Sequence, residues 1–157
     1  MFLKNYTSGV PVSQTIYRIE QVLIRCGVSG ITKEYSPTGE VLAIVFHIVL
    51  TGAKPVPVRL PADVNAATDA FWADYCETHK SEWKRKKKRS DFADQAARTA
   101  WKIAQDWIEV EMSRIQMRQG EPLEIFMSYV WDGQRGQTYY AALKESQFKG
   151  LLPEKCE

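Results

Sequence analysis

The stretch from Asp91 to Gln119 constrains the fold most, because it reads as one unusually long helix in a chain of 157 residues. Ser90 or Asp91 supplies an N-cap, and Gly120 and Pro122 close the far end. At a rise of about 1.5 Å per residue the helix would be on the order of 40 Å long. Its polar side chains, Lys102, Gln105, Asp106, Glu109, Ser113 and Gln116, make only a narrow stripe that reads as solvated, with one-turn salt links such as Lys102 to Asp106. Apolar residues from Ala100 to Ile115 fill the rest of the circumference, and so wide an arc predicts burial on two sides, against a sheet and against other helices or a second subunit. Trp101, Trp107, Ile108 and Ile115 are the residues a second copy would cover. A homo-oligomer built along this helix is therefore expected, since a symmetric interface is the common solution for such a surface.

The segment before the helix changes period twice. Ile16, Ile19, Val22, Leu23 and Cys26 recur at helical spacing behind a Ser13 N-cap, with Val12 placed to staple onto Tyr17 and Gly27 to end the helix. From Ile31 the period becomes two, and Ser36-Pro37-Thr38-Gly39 turns the chain into a second strand, Val41 to Leu50, apolar on both faces and hence central. Val56, Val58 and Leu60 make a third strand, placed at an edge because Pro57 has no amide hydrogen to donate. A helix follows from about Asn65 toward Lys80, and short helices are expected over Pro122 to Trp131 and Tyr139 to Gln147, with a break at Asp132 to Gly136. The fold class is α+β: an N-terminal helix, a three-stranded antiparallel meander, then a long helix and short C-terminal helices. The organisation predicted is a single domain over residues 1–157, with helix plus sheet in 13–61 and a helical half in 62–157 containing a basic connector at 80–90.

Hydrophobic residues make up 45% of the chain, enough to bury a core without metals or staples. The formal net charge is only +2, so no overall field draws the molecule to nucleic acid or a membrane, and any electrostatic function must be local. Cys26, Cys76 and Cys156 are too few and too scattered for a disulfide framework or a zinc ribbon, and read as reduced thiols. The longest apolar run, Val41 to Leu50, is interrupted by His47 and too short for a bilayer span, and no signal segment stands at the N-terminus. These features predict a soluble cytoplasmic protein.

Little in the sequence carries catalytic chemistry. His47 and His79 have no cysteine or serine beside them in a nucleophile arrangement. Cys76 and His79 form a lone Cys-x-x-His that is half of a zinc pattern without its other half. Asp91 and Asp94 suit the start of a helix, and Gly133-Gln134-Arg135-Gly136 lacks the lysine and the strand-loop-helix setting of a phosphate loop. No enzyme, cofactor or metal is expected. The exception is Lys84, Arg85, Lys86, Lys87, Lys88 and Arg89, six consecutive cations that repel one another unless solvated or met by an anion such as a phosphate backbone. Trp83 adjoins the block, and Trp72 and Tyr75 on the preceding helix add aromatic surface on which an unpaired base can stack.

The stretch from Val10 to Gly27, leading into a hairpin, and the stretch Arg98 to Met112 resemble a family of uncharacterised proteins encoded by phages and prophages. The similarity extends over most of the chain, including Gly136-Gln137-Thr138 before the last helix. The resemblance implies a phage protein acting in the cytoplasm of a bacterial host, and it brings no catalytic motif. The order of elements is also similar to that of a double-stranded-RNA-binding domain, and a three-stranded sheet with a long helix is similar to the core of phage single-strand annealing recombinases. Two functions follow as expectations. The first is a non-enzymatic protein of phage replication or recombination that binds DNA, single- or double-stranded, or RNA. The second is a protein that binds and disables a host defence factor, of the anti-CRISPR kind, or another host enzyme, using its five tryptophans and seven tyrosines as interface anchors.

Overall fold

A computed structural model describes residues 3–149 and Leu151. The order of elements is α1 (Val12–Arg25), β1 (Ile31–Tyr35), β2 (Val41–Ile48), β3 (Val56–Pro61), α2 (Val64–Thr78), α3 (Ala93–Gln116), α4 (Pro122–Phe126), β4 (Trp131–Asp132), β5 (Gln137–Thr138) and α5 (Tyr139–Glu145). The α+β class and the three-stranded antiparallel sheet are as the sequence predicts. Two compact units can be distinguished: one joins the chain up to Arg25 with Pro61–Ser113, and another joins Cys26–Leu60 with the chain from Arg114 onward. Cys156 lies outside the described residues.

In the first unit, α1 buries Thr15, Ile16, Ile19 and Leu23, a single stripe at helical spacing. Its first turn starts two residues earlier than a Ser13 cap would place it. The amides of Gln14 and Thr15 donate to the Pro11 carbonyl, so Ser13 lies inside the turn and does not cap it, and Tyr17 is 58% exposed. Helix α2 is capped by Asp63, whose carboxylate accepts the Ala66 amide at 2.8 Å. Ala67 and Phe71 of α2 and Ala96 and Ala100 of α3 form one buried cluster, against which Leu3, Ala62, Val64 and Phe92 pack.

Helix α3 has 24 residues, a length of about 36 Å. It stops short of Gly120 because Arg118 takes the left-handed conformation at φ 56°, while its amide donates to Ile115 and that of Gln119 to Arg114. The polar stripe of α3 is solvated at Ser113 and Gln116, as its sequence predicts, but not over Lys102, Gln105 and Asp106. Gln105 is 3% exposed, and Asp106 accepts from Lys102 at 2.8 Å, Lys4 at 2.8 Å and Asn5 at 2.9 Å. Gln95 donates to the carbonyls of Tyr6 and Ser8, Arg98 to Ser8, and Thr99 to Asn5. Asp106 thus seats the side chains of the N-terminal strap, and Gln95, Arg98 and Thr99, earlier on α3, satisfy its backbone carbonyls. Of the four residues expected at an interface between copies, Trp101 (1% exposed) and Ile108 (0%) are covered within the single chain, and Trp107 and Ile115 are half-buried.

In the second unit the sheet order is β1-β2-β3, with Ile31 opposite Phe46 and a register shift between Glu34 and Tyr35. Ala43 to Phe46 are buried on both faces of β2, as a central strand requires, and the strand ends before Leu50, whose carbonyl accepts the Ala53 amide in the following turn. β3 lies at the edge, as Pro57 demands, and Val58 forms a bridge to Val130 along it. Arg59 reaches Glu34 from β3 at 2.9 Å and 2.7 Å and lies over the Trp131 ring at 4.8 Å. The helix expected over Pro122 to Trp131 ends at Phe126, which is buried edge-on against Phe46. A 3-10 turn and the β4-β5 hairpin replace its second half, and Thr138 then caps α5 by accepting the Ala141 amide.

Candidate functional site

The basic block is the charged feature around which a site can be built, and α2 positions it. The helix ends at Thr78 with the His79 amide bonded to Tyr75, and beyond it the chain makes a 3-10 turn at Glu82–Lys84, runs extended, and makes a second 3-10 turn at Arg89–Phe92. A regular helix here would set cations one turn apart, which is unfavourable. The extended segment is nevertheless held along its length. The Tyr75 hydroxyl accepts the amides of Lys86 at 3.0 Å and Lys87 at 3.3 Å, and the Asp91 carboxylate accepts that of Lys88 at 2.8 Å. Asp91 thus caps the second turn and not α3, which starts at Ala93.

The two arginines anchor the ends of this arch. Arg85, 21% exposed, donates from Nε to the His79 carbonyl at 2.9 Å and stands 3.8 Å from Glu82. Arg89 pairs with Asp69 and also donates to the Asn65 carbonyl. Beneath them Tyr75 stacks on His79 with ring centroids 4.2 Å apart and lies 5.8 Å from Trp72 and 5.6 Å from Phe92. The Lys87 ammonium sits 5.3 Å above the Phe92 ring.

What the arch presents outward is three lysines and an indole. Lys86, Lys87 and Lys88 are exposed, and among the described residues no carboxylate pairs with their ammonium groups. Trp83 is 83% exposed, while the Lys84 side chain lies outside the described residues. Trp72 and Tyr75 are half-buried in the ring pile and support the arch from within, so the aromatic face expected from three residues is supplied outward by Trp83. The basic run makes the lysines visible in the sequence. Tyr75 as the hydroxyl that holds their backbone, and Asp69 as the acid that holds Arg89, lie 11 to 20 residues away and gave no local signal.

The remaining candidates do not assemble into sites. His79 is stacked on Tyr75, with its Nδ1 3.0 Å from the Tyr75 carbonyl, and no group of three His, Cys, Asp or Glu side chains converges among the described residues. Gly133 to Gly136 forms the tip of the β4-β5 hairpin, where the Asp132 carboxylate accepts the Gln134 and Arg135 amides. No helix among the described residues is long and apolar enough to cross a membrane. No protein-family model, curated protein or solved structure matches this chain.

Proposed function

We propose that this chain is a non-enzymatic nucleic-acid-binding protein of phage replication or recombination, acting in the bacterial cytoplasm, with the arch at Lys86 to Lys88 on the phosphate backbone. The observation that carries the reading is a contrast within six residues: the arch backbone is tied down by Tyr75 and Asp91, yet its three lysine ammonium groups have no acidic partner among the described residues. A cluster of like charges held in place is unfavourable until an anion meets it. Because the backbone is already ordered, less conformational entropy is lost when it does. The phage setting rests on the resemblance carried by Val10 to Gly27 and Arg98 to Met112.

Mobility-shift titrations with single-stranded DNA, duplex DNA and RNA test the reading. Binding that weakens steeply with salt is expected, because each neutralised phosphate releases counterions. Absence of binding to all of them at low salt would refute it. In that event, recovery from infected cells of a stoichiometric host protein that survives nuclease would assign the arch to host-factor inhibition.

A further inference from the structure

The protein itself engages the donors of the arch to different degrees. The amides of Lys86 and Lys87 are engaged by the Tyr75 hydroxyl and that of Lys88 by Asp91, so this stretch offers no row of free backbone N–H groups to cradle a phosphate. Reading a base edge takes a planar fork, most often an arginine on guanine. Arg85 is committed to His79 and Glu82, and Arg89 to Asp69 and Asn65. The ammonium groups of Lys86, Lys87 and Lys88 meet no carboxylate among the described residues and act as point charges without directional preference, and the indole of Trp83 is 83% exposed.

Building on the nucleic-acid reading above, we infer that the arch takes single-stranded nucleic acid without regard to sequence, with an unpaired base stacked on Trp83 and the adjoining phosphates on Lys86, Lys87 and Lys88. Stacking is sequence-tolerant because every base has a π-face, but in a duplex those faces are covered by neighbouring base pairs. Three residues of chain separate Trp83 from Lys86, a span of about 10 Å at most, so indole and ammonium groups reach the same few nucleotides. Glu82, the acid next to the indole, is offset by the Arg85 guanidinium 3.8 Å away.

Fluorescence anisotropy with labelled 20-mers of dT, dA and dC and with a mixed-sequence duplex, at fixed low salt, tests this. The three single strands should bind within about tenfold of one another and all more tightly than the duplex. W83A should weaken single-strand binding about fivefold to a hundredfold, W83F much less, with unchanged circular dichroism in both. Equal affinity for duplex and single strand, a W83A variant that binds like wild type, or a preference beyond tenfold for one homopolymer would overturn the inference and leave the proposed function standing. Failure of every probe to bind the wild type would overturn both.

Discussion

The hydroxyl of Tyr75 accepts backbone hydrogen bonds from two consecutive residues, Lys86 at 3.0 Å and Lys87 at 3.3 Å, and so ties the basic segment to the helix that precedes it. The Y75F substitution keeps the ring stack on His79 and removes only that acceptor. Both amides are exposed enough for water to replace it, so a loss of about 0.5–1.5 kcal/mol in global stability is the upper range. The local effect should be larger. Trypsin cleavage between Arg85 and Arg89 should accelerate several-fold in Y75F, and an unchanged digestion rate would show that the tyrosine does not hold the arch.

Replacing Lys86, Lys87 and Lys88 together with glutamate tests the surface directly. The three side chains are exposed and lie outside the buried clusters, so each change should shift stability by no more than about 0.5 kcal/mol. Nucleic-acid affinity should collapse. In the milder triple change to glutamine, the slope of log K against log salt should fall by about 2 for a single strand, reflecting three lost phosphate contacts. Wild-type affinity in the glutamate variant at low salt would exclude the arch as the contact surface.

The elements that depend on local sequence were legible, and those that depend on distant partners were not. Period and turn chemistry placed β1 to β3 and α2 to within about two residues, and Pro57 placed β3 at the edge. The polar stripe of α3 misled because a row of Lys102, Gln105 and Asp106 reads as solvent-facing unless one knows that Lys4 and Asn5 lie on it. The end of α3 misled for a related reason: Arg118 supplies the left-handed residue that sequence rules assign to Gly120. In the candidate site the charges were evident, but which of them are neutralised was not. Arg89 is paired through Asp69, 20 positions earlier, whereas the three lysines between the arginines meet no carboxylate among the described residues.

The strap makes a prediction about acid. Burial works to raise the Asp106 pKa, but the hydrogen bonds from Lys102, Lys4 and Asn5 and the Lys102 charge outweigh it and hold the carboxyl well below the ordinary carboxylate range. A carboxylate whose pKa is lower folded than unfolded stabilises the fold fully above the unfolded pKa, and that stabilisation is lost as pH falls through the carboxylate range toward the folded value. Urea denaturation should therefore show wild type more stable than D106N at pH 7, by about 1–3 kcal/mol for charged hydrogen bonds in a half-buried site, with the gap narrowing by pH 3. A gap that stays constant from pH 7 to pH 3 would mean that the carboxylate's charge contributes nothing.

The last prediction concerns Trp101, which separates two roles for the apolar circumference of α3. As a contact between copies, its loss would dissociate an oligomer and leave the protomer folded. At 1% exposure within one chain it instead belongs to the core, together with Ile108 at 0%. Truncating a buried tryptophan removes a large transfer contribution and leaves a cavity, and W101A should lose about 3–5 kcal/mol, a large share of what a domain of this size has. Its denaturation midpoint should fall accordingly, at every protein concentration alike. Light scattering on the wild type completes the test, because the expected oligomer would then have to form through some other surface. A mass near 18.0 kDa independent of concentration would show that the chain covers α3 by itself. A wild-type dimer that W101A converts to a folded monomer of unchanged stability would show instead that the helix is buried by a second copy.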